Sequence, residues 1–258
     1  MIRIGEPLAL EDVEAVARGG GAPRARTAAA RVGAARDRVE RAVASGETVY
    51  GVTTGFGSLA SVAVPAAEAT ELQHAIVRSH ATAVGPLLSR EEARAMLLLR
   101  AQVLARGNSG VRVEVIERML AFLARDLVPA VPEQGSLGAS GDLAPLACLA
   151  LPLIGGGSFL GADGAAIPAA EVLAASGFPP LALGAKEGLA LVNGTQGMLA
   201  IGTLALLRLE RLARTADVVA AMTIEAALGS DRPFDARLHA LRPHPGQVAS
   251  ASNLRRLL

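Results

Sequence analysis

The stretch GSLGASGDLAPLA, residues 135–147, decides how the rest of the chain is read. Gly135, Gly138 and Gly141 surround one serine, Ser140, and an acid, Asp142, opens an apolar run. Such a run could be a linker between modules. It could also be a hydrolase nucleophile turn of the form G-x-S-x-G. The fifth position of GASGD is Asp142 rather than glycine, however, and the nucleophile elbow needs an α/β sheet for which this sequence has no pattern. A third chemistry uses the backbone itself. Gly141 has no side chain to obstruct its amide nitrogen. A tight turn that presses this nitrogen onto the carbonyl carbon of Ala139 lets a five-membered ring close with loss of water. Loss of a second water, from Ser140, leaves an exocyclic methylidene. The product, 4-methylideneimidazole-5-one, is an electrophile, and the fold must hold the turn under strain for it to form.

Composition favours helices around that turn. Hydrophobic residues make up 51% of the 258 residues, and aromatics only 2%. Much of the apolar content is alanine and leucine, both strong helix formers. A formal net charge of +1 gives no electrostatic footprint for nucleic acid. The single cysteine, Cys148, sits in an apolar run, so no internal disulfide forms and no metal centre is expected. Together with an N-terminus that turns acidic early and lacks a signal-peptide h-region, this points to a reducing, cytoplasmic setting. Two uncharged runs, 143–162 and 188–207, reach the roughly 20 residues of a membrane span. Prolines and a Gly155–Gly157 triplet break the first, and Asn193, Thr195 and Gln196 interrupt the second. Both are read as segments buried in a helical assembly, with no membrane partner.

Along the chain, MIRIG (1–5) and ETVYGV (47–52) read as strands, the second from its β-favouring Thr48, Val49, Tyr50 and Val52. Helical patterns cover 8–17, 28–44, 66–82, 89–105 and 111–125, with NSG (108–110) as the cap signal of the last. A helix is expected after Asp142, a hairpin-like excursion over 155–168, a short helix over 169–176 and one long helix over 195–228. That length implies a helical bundle. The run QVASASNLRRLL (247–258) is amphipathic and stops on Leu257-Leu258 without a cap, as a chain ending inside an element would. GFGSLA (55–60) matches a dinucleotide fingerprint, but Pro65 interrupts the helix that should follow and no acid comes at the required distance.

The turn and four further stretches carry a resemblance. GSLGASGDLAPLA, VYGVTTGFGSLA (49–60), RSHATAVG (78–85), AKEGLALVNGTQGM (185–198) and RPHPGQ (242–247) stand in order along the chain. Together they resemble the aromatic amino acid ammonia-lyases, their histidine ammonia-lyase branch above all. The resemblance implies a mainly α, L-aspartase/fumarase-like helical fold. It divides the chain into a domain over 1–194, with a few short strands and the ring-forming loop, and a truncated long-helix bundle beginning over 195–258. It implies elimination of ammonia from L-histidine to give urocanate, with the ring formed autocatalytically from Ala139, Ser140 and Gly141 and no metal or diffusible cofactor. As with bound cofactors, the electrophile carries the hard step and the protein positions the rest.

The resemblance also assigns roles. Read on residues alone, Tyr50 is a strand residue with its hydroxyl at the edge. The resemblance makes it the base that takes the β-proton. A free phenol titrates near ~10, so such a base needs surroundings that favour phenolate, which predicts positive potential around it. His80, alone, is a satisfied helix-end histidine. A Ser-His pair such as Ser79-His80 goes with histidine as substrate in the family, because an imidazole gains from a hydrogen-bonding partner that a phenyl ring would leave unpaired. Asn193, alone a buried amide in need of partners, is placed beside the ring and the substrate carboxylate. Gly55 and Gly57 shape the Tyr50 loop, Lys186 and Gln196 are structural, and His74 has no assigned role. Asp142 is expected to cap the helix it begins and to aim that helix's positive end at the ring. Family members are about twice as long, with further site residues in their later half, and act as homotetramers whose sites form between subunits. The expected partners are therefore a small-molecule amino acid, further copies of the chain or a complementing C-terminal half. Alternative readings are a phenylalanine or tyrosine ammonia-lyase or aminomutase, and a half-length fragment inactive without a second chain.

Overall fold

The computed structural model describes residues 2–21, 29–55, 57, 61–62, 64–65, 68–139 and 141–258. Ser140, Phe56 and Ser58 to Ala60 lie outside the described residues, as do the expected helix starts at Ala28 and Ala66. In chain order the elements are α1 (Leu10–Ala17), α2 (Ala29–Ser45), α3 (Ala69–His80), β1 (Val84–Leu87), α4 (Arg90–Ala105), α5 (Val113–Ala124), β2 (Pro132–Gln134) and α6 (Leu143–Ala150). They continue with β3 (Ser158–Leu160), β4 (Ala166–Pro168), α7 (Ala169–Ser176), α8 (Glu187–Val192), α9 (Gln196–Ala226), α10 (Ala236–Ala240) and α11 (Pro245–Leu257). The mainly α expectation holds. Two compact units, Met1–Leu204 and Ala205–Leu258, divide the chain within α9.

The core of the first unit is built on α4. Every residue of it from Ala93 to Ala101 is buried, so its middle is enclosed on all sides. Ser89 and Glu92 start it with a capping box: the Ser89 N–H donates to Glu92 Oε2 at 2.9 Å, and the Glu92 N–H to Ser89 Oγ at 3.3 Å. Helices α1 and α5 pack along it. Ile116, Met119, Leu120 and Leu123, at helical spacing, are buried on α5 together with Val115 and Phe122. Arg94, buried in α4, donates to the Val16 carbonyl at 2.9 Å and to Asp126 Oδ1 at 2.5 Å, which ties the C-terminal ends of α1 and α5 to it. Sheet structure among the described residues is confined to two antiparallel pairs, β1 with β2 and the expected hairpin β3 with β4.

Three local expectations fail. MIRIG forms no strand; the chain turns at Ile4 and Gly5, where Gly5 has φ +87°. ETVYGV is a turn. Gly51 takes φ +67°, and the Val52 and Thr53 N–H groups both donate to the Val49 carbonyl at 3.0 Å. Side chains close it further, since Thr53 Oγ1 accepts from the Val49 N–H at 2.8 Å and Thr54 Oγ1 from the Gly51 N–H at 3.2 Å. These local bonds outweigh the β propensity of the run. Finally, NSG does not cap α5: its N-cap is Arg112, with no side-chain cap bond. Of the two uncharged runs, the α6 part of the first is buried from Pro145 to Ala150. Within Glu187–Ala226 a window is long and apolar enough to cross a membrane by composition, and 44% of it is buried here.

In the second unit, α11 follows a Pro at its first turn. Asp217 of α9 accepts hydrogen bonds from Ser250 Oγ and, at 2.8 Å, from Asn253 Nδ2 of α11. These bonds hold the Asp217 carboxyl below the usual carboxylate range.

Candidate active site

Three segments of the first unit meet at the Gly135–Asp142 loop. The loop leaves β2, which pairs with β1 at Val84 and Gln134. The chain leaving α3 at His80 therefore runs alongside the chain entering the loop. A Cβ on Gly135 would lie 2.9 Å from the Ala83 Cβ, so the two pass too closely for a side chain there. Within the loop the Leu137 N–H donates to the Gly141 carbonyl at 2.8 Å, and the Gly141 N–H to the Gly138 carbonyl at 3.1 Å. Gly138 and Gly141 both take left-handed φ, +85° and +79°. A Cβ on Gly141 would lie 2.6 Å from Met198 Cε and 3.6 Å from Thr195 Cγ2, which sets the loop against the start of α9.

Asp142 departs from its expected role. It stands at the N-cap position of α6, but its side chain makes no cap bond there. Its backbone N–H donates to the Gly194 carbonyl at 3.2 Å, and its Oδ2 accepts the Met198 N–H at 2.9 Å. The carboxylate thus caps α9 from a distant part of the chain. It is fully buried, and a Cβ on Gly197 would come within 3.1 Å of it. The acid satisfies one of the orphan N–H groups of α9 and faces the positive end of that helix. Asp142→Ala should lower unfolding free energy by about 1–2 kcal/mol, read from urea denaturation followed by circular dichroism.

His80 ends α3. Its Nδ1 lies 2.9 Å from the Ile76 carbonyl and 3.1 Å from Ser79 Oγ. A carbonyl only accepts, so Nδ1 carries the proton in the neutral ring and Nε2 is left with a lone pair. His74 is structural, its Nε2 accepting the Leu183 N–H at 3.2 Å. Asn193 follows α8 and is exposed, so the expectation of a buried amide fails. It adjoins Gly194, whose carbonyl holds Asp142. Gln196 is buried and accepts from Arg100 Nη1 at 2.6 Å. Cys148 is also buried in α6, and burial pushes its thiol above the usual range.

Tyr50 lies in the turn between α2 and α3. It is 60% exposed, and its hydroxyl accepts one described hydrogen bond, from the Gly57 N–H at 3.3 Å. Gly57 takes φ +58° to make that approach. Among the described residues no hydrogen bond links Tyr50 to the Gly141 loop. Val49 and Val52, on either side of Tyr50, line a cleft of about 1190 Å³ together with Arg38, Arg41, Arg106 and Lys186. Burial lowers the Lys186 ammonium below its usual value.

Sequence reading missed Arg100. It is buried in α4, and burial pulls its guanidinium down to about 10. A cation among apolar neighbours in MLLLRAQVLA was the available signal, since a charge in an apolar run needs a partner elsewhere.

The sequence model of the family described as aromatic amino acid lyase matches residues 8–258. A histidine ammonia-lyase of Anaeromyxobacter sp. (strain K) is 54% identical over 261 aligned residues, covering 98% of this chain and 51% of that protein. One from Sorangium cellulosum (strain So ce56) is 51% identical, covering 99% of this chain and 50% of that protein. Among solved structures, histidine ammonia-lyase from Trypanosoma cruzi superposes with a TM-score of 0.90 at 39% identity, over 100% of this chain and 50% of that one. Tyrosine aminomutase from Streptomyces globisporus gives 0.90 at 40% identity, over 99% and 49%. The chain spans about half the length of the curated relatives it matches.

Proposed function

The chain belongs to the aromatic amino acid lyase family, and from that premise we propose that it is the part of a histidine ammonia-lyase that carries the electrophile, the base and the substrate-selecting histidine. The observation that carries this reading is the backbone at Gly141. Gly141 has φ +79°, its amide is folded back toward Gly138, and Met198 fills the space a side chain would need. The positive φ and the close contact suit glycine there, and the small residues Ala139 and Gly141 leave the approach open for closure of a 4-methylideneimidazole-5-one ring from Ala139, Ser140 and Gly141. Once formed, the ring supplies the electron sink that lets the substrate's amino group leave.

The remaining work falls to side chains. The Tyr50 hydroxyl, tied only to Gly57 among the described residues, is available to accept the β-proton. The cleft lined by the neighbouring Val49 and Val52 also carries Arg38, Arg41, Arg106 and Lys186. His80 Nε2 offers its lone pair to an imidazole N–H, and a phenyl ring would leave it unpaired. The Asn193 carboxamide, exposed beside Gly194, donates to the substrate carboxylate. The Cα–N bond breaks, the β-proton passes to Tyr50, and ammonia and urocanate leave.

Tyr50 does not reach the loop through any described bond, and α9 leaves Leu209, Leu212 and Met222 more than 60% exposed. Apolar surface of that kind marks an interaction face. The active form is accordingly an assembly, of further copies or with a complementing C-terminal half, in the cytoplasm. Histidine is incubated with the chain alone and with a chain supplying the later half of a relative, and urocanate is followed by its absorbance. Urocanate formation in the complemented sample is expected. Turnover of phenylalanine or tyrosine but not histidine contradicts the substrate.

A further inference from the structure

Two buried side-chain polar atoms lack a hydrogen-bond partner among the described residues, Arg100 Nε and Asp142 Oδ1. Both belong to groups that grip the same short stretch of chain. From one side, Arg100 of α4 donates through Nη1 to Gln196 Oε1 at 2.6 Å and through Nη2 to the Ala190 carbonyl. Ala190 lies in the last turn of α8, where carbonyls have no helical partner, and Gln196 is the first residue of α9. From the other side, Asp142 holds the Gly194 carbonyl with its N–H and the Met198 N–H with Oδ2. Asn193, Gly194 and Thr195 lie between the two residues that Arg100 holds, and Asp142 holds Gly194 among them. The fit is close: a Cβ on Gly194 would lie 2.1 Å from Gln196 Oε1 and 2.3 Å from Arg100 Nη1.

Arg100 is 2% exposed, and no carboxylate pairs with it among the described residues. A buried unpaired cation is costly, and an apolar residue of similar length would fill the same space without that cost. Its two bonds span the break between α8 and α9, which no backbone hydrogen bond of either helix can do.

We propose that Arg100 is a positioning residue that clamps the Asn193–Thr195 turn against Asp142 and so sets where the Asn193 carboxamide stands relative to the Gly141 loop. The functional part of this inference rests on Asn193 contacting the substrate carboxylate. The guanidinium is needed for its fork, two donors aimed at two acceptors, and not for its charge alone.

The test compares Arg100→Met and Arg100→Lys with the wild-type chain by amide hydrogen exchange. In Arg100→Met the Asp142 and Met198 amides should exchange about tenfold faster, while Leu97 and Leu98 in α4 keep their protection. Arg100→Lys, which retains one donor direction, should recover part of the loss. In the complemented assembly, Arg100→Met should raise KM for histidine about tenfold with kcat changed less than about threefold. Wild-type exchange at Asp142 and Met198, or acceleration of α4 as large as that of the turn, overturns the clamp. An unchanged KM overturns its role in placing Asn193. If Arg100→Met does not fold, the same two amides in Arg100→Lys decide. If the wild-type assembly releases no ammonia, the lyase reading fails, and the exchange result still decides the clamp.

Discussion

Replacing Tyr50 by phenylalanine should cut ammonia release from histidine in the complemented assembly by about 10²–10⁴-fold and leave the unfolding midpoint where it was. The two halves of this expectation come from one geometry. The ring of Tyr50 is largely exposed and its hydroxyl meets only the Gly57 N–H among the described residues. An exposed hydroxyl with one long hydrogen bond contributes little to stability, so its removal is a chemical change and not a structural one. Its neighbours Val49 and Val52 line a cleft that also carries Arg38, Arg41, Arg106 and Lys186. Steady-state rates and a thermal melt on the same preparation check both halves. Full activity in Tyr50→Phe would remove Tyr50 from the mechanism, and a lowered midpoint would mean that the loop depends on it.

Glu187→Ala should have the largest effect on stability, a loss of about 3 kcal/mol. Glu187 is fully buried at the start of α8. It accepts from the Arg112 N–H at 2.8 Å, Arg112 Nε at 3.0 Å, Arg112 Nη2 at 2.7 Å and the Gly184 N–H at 2.7 Å. Truncation leaves two backbone donors and a partly buried guanidinium without their acceptor. Arg112 keeps some contact with water, which holds the loss at the lower end of the range for broken buried pairs. Burial by itself would push the Glu187 carboxyl up, but the hydrogen bonds from Arg112 and Gly184 and the Arg112 charge hold it below the usual range. A carboxyl lowered on folding stabilises above its unfolded pKa, and that stability is lost as pH falls through the folded value. The wild-type urea midpoint should therefore drop in acid below pH ~4.3, and Glu187→Ala should show less of that drop.

The helices were legible because their burial follows local pattern. The stripe Ile116, Met119, Leu120 and Leu123 is part of the buried face of α5, and Ser89 with Glu92 marks the start of α4. The Tyr50 turn was not legible. Val49, Tyr50 and Val52 favour a strand, and the backbone bonds to the Val49 carbonyl, with Thr53 and Thr54 hydroxyls accepting from backbone N–H groups, turn the chain instead. β1 and β2 were hidden by Pro86 and Pro132, which make poor strand signals even though each strand here has a single partner.

At the site, the chemistry of Ala139, Ser140 and Gly141 could be argued from residue types, because ring closure needs small residues around a serine that can lose water. The support around them could not. Asp142 reads as the cap of its own helix, whereas it caps α9, whose first turn lies more than fifty residues along the chain. Arg100 reads as one more arginine until the fold brings it to Gln196. Both are tertiary contacts, and local sequence carries no record of the partner.

The central claim is that Ala139, Ser140 and Gly141 become a ring. Mass spectrometry of the peptide spanning residues 135–147, taken from the purified complemented assembly, tests it most directly. The account predicts a mass lower than that of the encoded peptide by two waters, with the change confined to residues 139–141. A peptide of unmodified mass from an assembly that releases ammonia would contradict it.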